Sequence, residues 1–251
     1  MKVIYINHYG VWGGAQRSMV EMIRNFPREA VNPIVLTPEG RIEHILKDAG
    51  IEFISVKGIA KVDHTRVGYY KGWRWIILLR ELWYLLFTMG AFLTNRKKFR
   101  SADIIHVNEN TCIVPVILAK KLYNKKTVMH ARAVMNNEQK LFRTRLMGNW
   151  FRKYVDVLVA IDENVRESLP YHPRTVTIHN GLTISDEHTV DQKLQDKLKE
   201  INKRKLNLGF VGALDKNKGI YDLIEAMKVC IEQNMDVNLY VLGASLESAR
   251  G

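Results

Sequence analysis

LNLGFVGALDKNKGIYDLIEAM, residues 206–227, decides the fold class. Leu206, Leu208, Phe210 and Val211 make an apolar run of strand length. Gly212 permits a sharp exit, and Gly219 lets the backbone approach a neighbour closely just ahead of a helix. Lys216 and Lys218 sit in the loop between them, and Ile220, Leu223, Ile224 and Met227 then recur at helical spacing. A strand, a glycine turn and a helix in this order form the building unit of an α/β sheet. The free N–H groups of such a helix N-terminus, flanked by lysines, suit a phosphate or diphosphate. A plain strand–turn–helix with a solvated basic loop accounts for the same residues, since glycine turns are common in α/β chains.

Outward from that stretch, the chain repeats the pattern. Strands are expected at 2–7, 33–37, 52–56, 104–107, 126–130, 157–161 and 176–179. Helices are expected at 15–26, 41–49, about 111–122, about 138–154 and 163–169. The alternation predicts a parallel sheet covered by helices on both faces, with ligands at the carboxyl ends of strands. Polar residues and glycines cluster at those ends: Asn7-His8, Gly13-Gly14, His106 to Asn108, His130, Asp162-Glu163 and Asn180-Gly181. From Ile184 to Lys205 the sequence becomes almost wholly charged and polar, with a thin apolar line of Leu194, Leu198 and Ile201, and reads as a solvent-facing linker helix. The expected division is a domain at 1–183, the linker at 184–205 and a second α/β domain at 206–251. That last segment is shorter than the roughly 100–150 residues of a whole domain, so the chain is expected to stop inside it.

With 38 Lys+Arg against 26 Asp+Glu, the net charge of +12 calls for an anionic partner. Nucleoside diphosphates, anionic lipid and nucleic acid all qualify, although no nucleic-acid recognition motif is present. The two cysteines, Cys112 and Cys230, lack metal spacing and read as structural thiols of a reduced, cytosolic protein. The apolar run at Val3–Ile6 is too short for the core of a signal peptide.

Taken together, YINHYGVWGGAQRSMVEM, IIHVN, VMHARAV, VLVAIDENVRESL, TIHNGL, LGFVGALDKNKGIYDLIEAM and NLYVLG occur in an order and spacing that resembles the first part of a GT-B glycosyltransferase. The similarity is greatest to the retaining family 4 group, the group 1 glycosyl transferases. It implies two Rossmann-like domains facing across a cleft, the first complete and acceptor-binding, the second binding the nucleotide-sugar and only begun. It also implies transfer of a sugar from a nucleoside-diphosphate sugar to a hydroxyl of a glycan or lipid-linked acceptor, as in polysaccharide biosynthesis, with no metal or other cofactor.

The resemblance assigns roles residue by residue. Gly13 and Gly14 match the loop that approaches the donor diphosphate, where N–H groups without side chains can close around phosphate oxygens. Gly212, Lys218 and Gly219 match the second diphosphate element, Lys218 neutralising the charge of the leaving group. Ala213 stands where the family commonly has an arginine, so one expected cation is missing. His130 matches a histidine that touches the transferred sugar, and His106, Asn108 and Asn180 are candidate acceptor or sugar contacts. Asp162 matches a family serine but serves equally as an N-cap. The family's paired glutamates would lie beyond Gly251, so little activity is expected from these residues alone. Two other classes fit the same motifs: a non-catalytic binding module of GT-B origin, and a GT-B sugar-nucleotide epimerase.

One stretch stands apart, YYKGWRWIILLRELWYLLFTMGAFLTNRKKFR at 69–100. Residues 76–93 approach the length of a bilayer span. Arg80 and Glu81 lie within it, and Arg74, Glu81, Thr88 and Asn95 recur every seven residues as one polar line. Lys71, Trp73, Arg74, Trp75 and Trp83 suit an interfacial helix on anionic lipid, which would place a cytoplasmic protein peripherally on the inner face of the membrane. A helix buried in the core, or a span, remains open on the same residues.

Overall fold

The computed structural model describes residues 1–27, 29–65, 73, 76–136, 142–181 and 206–243. The expected linker helix at 184–205, the expected helix start at Glu138, and Lys71, Arg74 and Trp75 lie outside these described residues. The chain divides into two compact units, Met1–Thr183 and Ile184–Gly251.

In the first unit the elements run β1 (Lys2–Ile6), α1 (Gly14–Arg24), β2 (Asn32–Pro38), α2 (Arg41–Asp48), β3 (Glu52–Val56), α3 (Ile77–Thr94), α4 (Arg96–Ser101), β4 (Ile104–Val107), α5 (Ile113–Tyr123), β5 (Lys126–Ala131), α6 (Phe142–Tyr154), β6 (Val157–Ala160), α7 (Glu163–Ser168) and β7 (Thr175–Thr177). Seven strands form one parallel sheet in the order β3-β2-β1-β4-β5-β6-β7. Ile4 is the register partner of both Ile34 on β2 and Ile105 on β4. The order reverses direction between β1 and β4, which opens a crevice at their carboxyl ends.

The strands read as continuous apolar runs because both sheet faces are buried. Alternate residues of β1 serve opposite cores. Val3 and Tyr5 join Met19, Val20, Ile42 and Leu46 under α1 and α2. Ile4 and Ile6 join Phe92, Phe99, Val116 and Phe151 under the helices of the other face. Cys112 is buried in that second core as a free thiol, which burial pushes up to about 12, and Cys230 is also free.

α3 is the helix expected over 76–93. Its polar line faces inward: Glu81 and Thr88 are buried beside Ala91 and Phe92. Glu81 Oε2 accepts the backbone N–H of Lys61 at 3.0 Å, and Thr88 Oγ1 accepts that of Ala60 at 2.8 Å. The Phe92 ring stacks on Phe99 with centroids 4.1 Å apart, and the Tyr123 hydroxyl donates to the Phe92 carbonyl at 2.6 Å. These contacts fasten one side of α3 to the sheet layer.

The second unit contains β8 (Leu206–Val211), a 3-10 turn (Lys216–Lys218), α8 (Ile220–Glu232) and β9 (Val237–Leu242), with β8 and β9 paired in parallel. The strand, turn and helix expected at 206–227 are thus all present. Gly219 needs correction: a Cβ there would meet only Asp222 Oδ2, at 4.0 Å, so no close approach explains it. Its φ of 75° does, because that left-handed geometry at the start of α8 disfavours a side chain.

Candidate functional site

Three strands deliver polar side chains to the crevice. β1 runs into Asn7 and His8, β4 into Asn108, Glu109 and Asn110, and β5 carries His130 and runs into Arg132. All of these except Arg132 are buried, an unusual density of polar groups at one sheet edge. The loop after β1 is pinned from behind. Gly10 packs so closely on the Glu39 carbonyl that a Cβ would overlap it, and the Gly10 carbonyl accepts the Ile42 N–H at 3.0 Å. Gln16 on α1 donates to Asn7 Oδ1 at 2.9 Å, and Asn7 donates to Thr37 at 3.1 Å.

Arg132 is the hub. Its Nε donates to Asn108 Oδ1 at 2.9 Å. One terminal nitrogen donates to Ser18 Oγ at 3.0 Å and to Asn180 Oδ1 at 2.7 Å, and the other faces His130 Nδ1 at 3.4 Å. Asn108 also donates to the Ala15 carbonyl at 3.1 Å, which ties β4 to the first turn of α1. Among the described residues, the side chains that hydrogen-bond the guanidinium are neutral, so its positive charge is oriented without a direct carboxylate partner. Burial lowers Arg132 to about 10, partly offset by Glu109. Glu109 lies beneath, its Oε1 accepting the backbone N–H groups of Asn110 at 2.8 Å and Arg132 at 3.3 Å. Burial raises that carboxyl to about 7 against the pull of these bonds and of Arg132.

The histidines are held neutral. His106 and His130 stack with centroids 5.6 Å apart, and His106 rests on the Tyr5 ring at 5.0 Å. Burial, with Arg132 adding repulsion, depresses both to about 3. The guanidinium can only donate, so His130 Nδ1 accepts and its proton belongs on Nε2. Nε2 of His130, Nε2 of His106 and Nδ1 of His8 are buried without a hydrogen-bond partner. Native interiors rarely leave such atoms unpaired outside functional sites.

A cavity of about 380 Å³ opens over this cluster, lined among others by Ser18, Met22, His130, Arg132, Asn180 and Gly181. Of the residues singled out in the sequence, His130, Asn180 and Gly181 line it directly. Asn108 reaches it through Arg132, and His106 sits one layer below, against His130. Gly13 begins α1 in extended backbone with no side-chain cap, and Gly14 has open space around its α-carbon. Asp162 is an N-cap, its Oδ1 accepting the Val165 N–H at 2.7 Å. In the second unit, Gly212 donates its N–H to the Leu242 carbonyl at 3.0 Å, and Lys218 sits exposed in the 3-10 turn before α8. Arg132, Ser18 and Glu109 carry no motif of their own in the sequence, although Arg132 follows β5 two residues after His130, the spacing that strand alternation puts on one face. Among the described residues, no group of three or more His, Cys, Asp or Glu side chains is placed to hold a metal.

A family model described as Glycosyltransferase Family 4 matches residues 12–186. No curated protein matches the chain in sequence. Among solved structures, Anabaena Alr3699/HepE in complex with UDP and glucose is similar with a TM-score of 0.67 at 17% identity, over 100% of this chain. This chain spans 63% of the length of that protein. A glycosyltransferase from Rickettsia africae gives 0.64 at 13% identity, over 96% of this chain and 68% of its own. The N-terminal domain of Candida albicans trehalose-6-phosphate phosphatase gives 0.70 at 12% identity, over 99% and 66%. At these identities the likeness speaks for the fold alone.

Proposed function

The chain belongs to glycosyltransferase family 4, and on that premise we propose that the whole protein moves a hexose from a nucleoside-diphosphate sugar to an acceptor hydroxyl, with retention and without a metal. The observation that carries this reading is the Arg132 guanidinium, hydrogen-bonded among the described residues to neutral groups, beside neutral His130 in a cavity between α1 and the ends of β5 and β7. A fixed cation attracts an anionic ligand, and a neutral imidazole can donate from Nε2 to a sugar hydroxyl or ring substituent. UDP is the first nucleotide to test, because the Anabaena structure contains UDP and glucose.

In this proposal Gly212, Lys218 and Gly219 of the second unit take the donor diphosphate, and Gly13 and Gly14 are anion-approaching positions of the first unit. Lys218 and the N-terminus of α8 would stabilise negative charge that grows on the leaving group as the glycosidic bond breaks. Asn108 and Asn180 hold Arg132 in place, and His106 supports His130 from below. Glycan and lipid-linked hydroxyls are the acceptor classes to test.

Isothermal titration of UDP, GDP and ADP into this chain, and into a longer form reaching the length of the family's solved structures, tests the reading. Binding of one nucleotide to the longer form, weakened in Lys218→Ala, is expected. A folded longer form that binds none of the three overturns it.

A further inference from the structure

We propose that the outward face of α3 docks this protein on an anionic lipid bilayer, with the helix lying in the interface plane. The inference is independent of the transfer chemistry. It rests on an amphipathicity that runs opposite to the usual one. A surface helix normally turns its polar side to water. α3 turns Glu81 and Thr88 to the protein, where they accept the backbone N–H groups of Lys61 and Ala60. It presents an apolar stripe to the outside. Leu79, Leu82 and Leu86 are 67%, 61% and 62% exposed, with Ile76, Trp83 and Leu93 continuing the same stripe at helical spacing. Trp73, just before the helix, is 89% exposed. Even Thr94, at the exposed end, spends its hydroxyl on the Gly90 carbonyl at 2.8 Å.

Contiguous apolar surface of this extent marks a place where something other than water belongs. The surrounding charge selects the occupant. Lys57, Arg96, Lys97 and Arg100 are exposed on the segments that flank α3. Glu81 is committed to Arg80 at 2.7 Å, and Glu52 on the adjacent edge strand is matched by Lys98 at 2.7 Å. An apolar stripe with an indole and basic residues at its margins is what an anionic interface binds: hydrocarbon takes the leucines, headgroups take the lysines and arginines. A water-soluble protein partner would meet the stripe but would have no general need for the basic margin.

By length and composition this 18-residue helix could also cross a membrane. Its polar side argues for the plane instead. Crossing would strip Lys61 and Ala60 of their acceptors and carry Glu81 into hydrocarbon, whereas docking leaves every one of these bonds in place.

Vesicle flotation of the full 251-residue chain provides the test. We expect binding to phosphatidylcholine vesicles that contain phosphatidylglycerol, much weaker binding to phosphatidylcholine alone, and a loss as salt rises. The variant Leu79→Ser/Leu82→Ser/Leu86→Ser should bind at least about tenfold more weakly with an unchanged melting temperature, because these side chains are already solvated. Arg96→Glu/Lys97→Glu leaves the stripe intact and should weaken binding chiefly at low salt. Brominated acyl chains should quench tryptophan fluorescence, and less so in Trp83→Phe. The proposal is overturned if the folded chain floats with neither vesicle at low salt. It is also overturned if the triple variant binds as well as the parent, if the protein resists alkaline extraction from membranes as a span does, or if the stripe is covered in a dimer that lipid does not dissociate.

Discussion

The first unit buries two sets of polar side chains, and they differ in how fully they are paired. Beneath α3, Glu81 bonds the Lys61 amide and Arg80, while Thr88 accepts from the Ala60 amide and donates to the Tyr84 carbonyl at 2.8 Å. At the strand switch point, Arg132 is oriented by four neutral groups and no carboxylate touches its guanidinium among the described residues, while His8, His106 and His130 keep unpartnered nitrogens. Burying a polar group is unfavourable in both places. A fully paired set recovers that loss within the fold, and so acts as a fastening. A partly paired set leaves polar groups for a bound molecule to satisfy, which is what the proposed site requires.

The sharpest way to break the comparison is to remove the fastening. Glu81→Ala leaves a buried backbone amide without its acceptor and Arg80 without its partner, and should destabilise the protein by about 4 kcal/mol. Urea unfolding followed by circular dichroism reads this directly. A loss under ~1 kcal/mol would mean that the contact is incidental.

A second test uses protons. Glu109 titrates near 7 in the fold, raised from 4.5, because burial disfavours its charge. The folded state therefore holds this proton more tightly than the unfolded state does. Stability from this group is full below about pH 4.5 and is lost as pH rises through about 7, a change of about 3 kcal/mol. Glu109→Gln mimics the protonated form and should remove that slope. The three histidines act with the opposite sign, since forms depressed to about 3 favour folding as pH rises. The expected result is thus a difference between parent and Glu109→Gln confined to roughly pH 4.5–7, measured by urea titrations across pH. Identical profiles would show that Glu109 is solvated.

The third prediction concerns the open set. Arg132→Lys keeps the charge but cannot reach Asn108, Ser18 and Asn180 together. The transfer activity proposed for the whole protein should fall about 100-fold, with stability changed by about 1 kcal/mol or less. A variant that unfolds early while retaining full turnover would reverse the assignment of the two sets.

Much of this is legible in the sequence. Strands buried on both faces give unbroken apolar runs, so β1, β2, β4, β5 and β6 could be placed closely. The polar residues at their ends, His130, Asn108 and Asn180 included, marked the crevice. What could not be read was convergence. Ser18 lies on α1 and Asn180 beyond β7, far apart in the chain, and only the order of strands brings both to Arg132. Glu109 is not legible there, because one acidic residue in a loop has no sequence sign of burial. The heptad line on α3 was visible, but its direction was not. A polar line normally faces water, and the amides at Ala60 and Lys61, 28 and 20 residues before Thr88 and Glu81, turn it inward.

Thr88 gives the smallest and cleanest test of that inversion. Valine matches threonine in shape, so Thr88→Val leaves packing nearly unchanged and removes one acceptor from the Ala60 amide and one donor from the Tyr84 carbonyl. That carbonyl belongs to the helix ladder and loses little. The amide belongs to no helix and no strand, and at Ala60 it is buried. Leaving it unpaired should cost about 1.5 kcal/mol, seen as a shift in the urea midpoint at constant slope. If α3 were held to the sheet by its apolar contacts alone, through Phe92 and Ala91, the same substitution would be neutral or slightly stabilising, because a buried hydroxyl would have been exchanged for a methyl. The sign of this one change therefore separates a helix fastened by its polar line from one merely resting on the core.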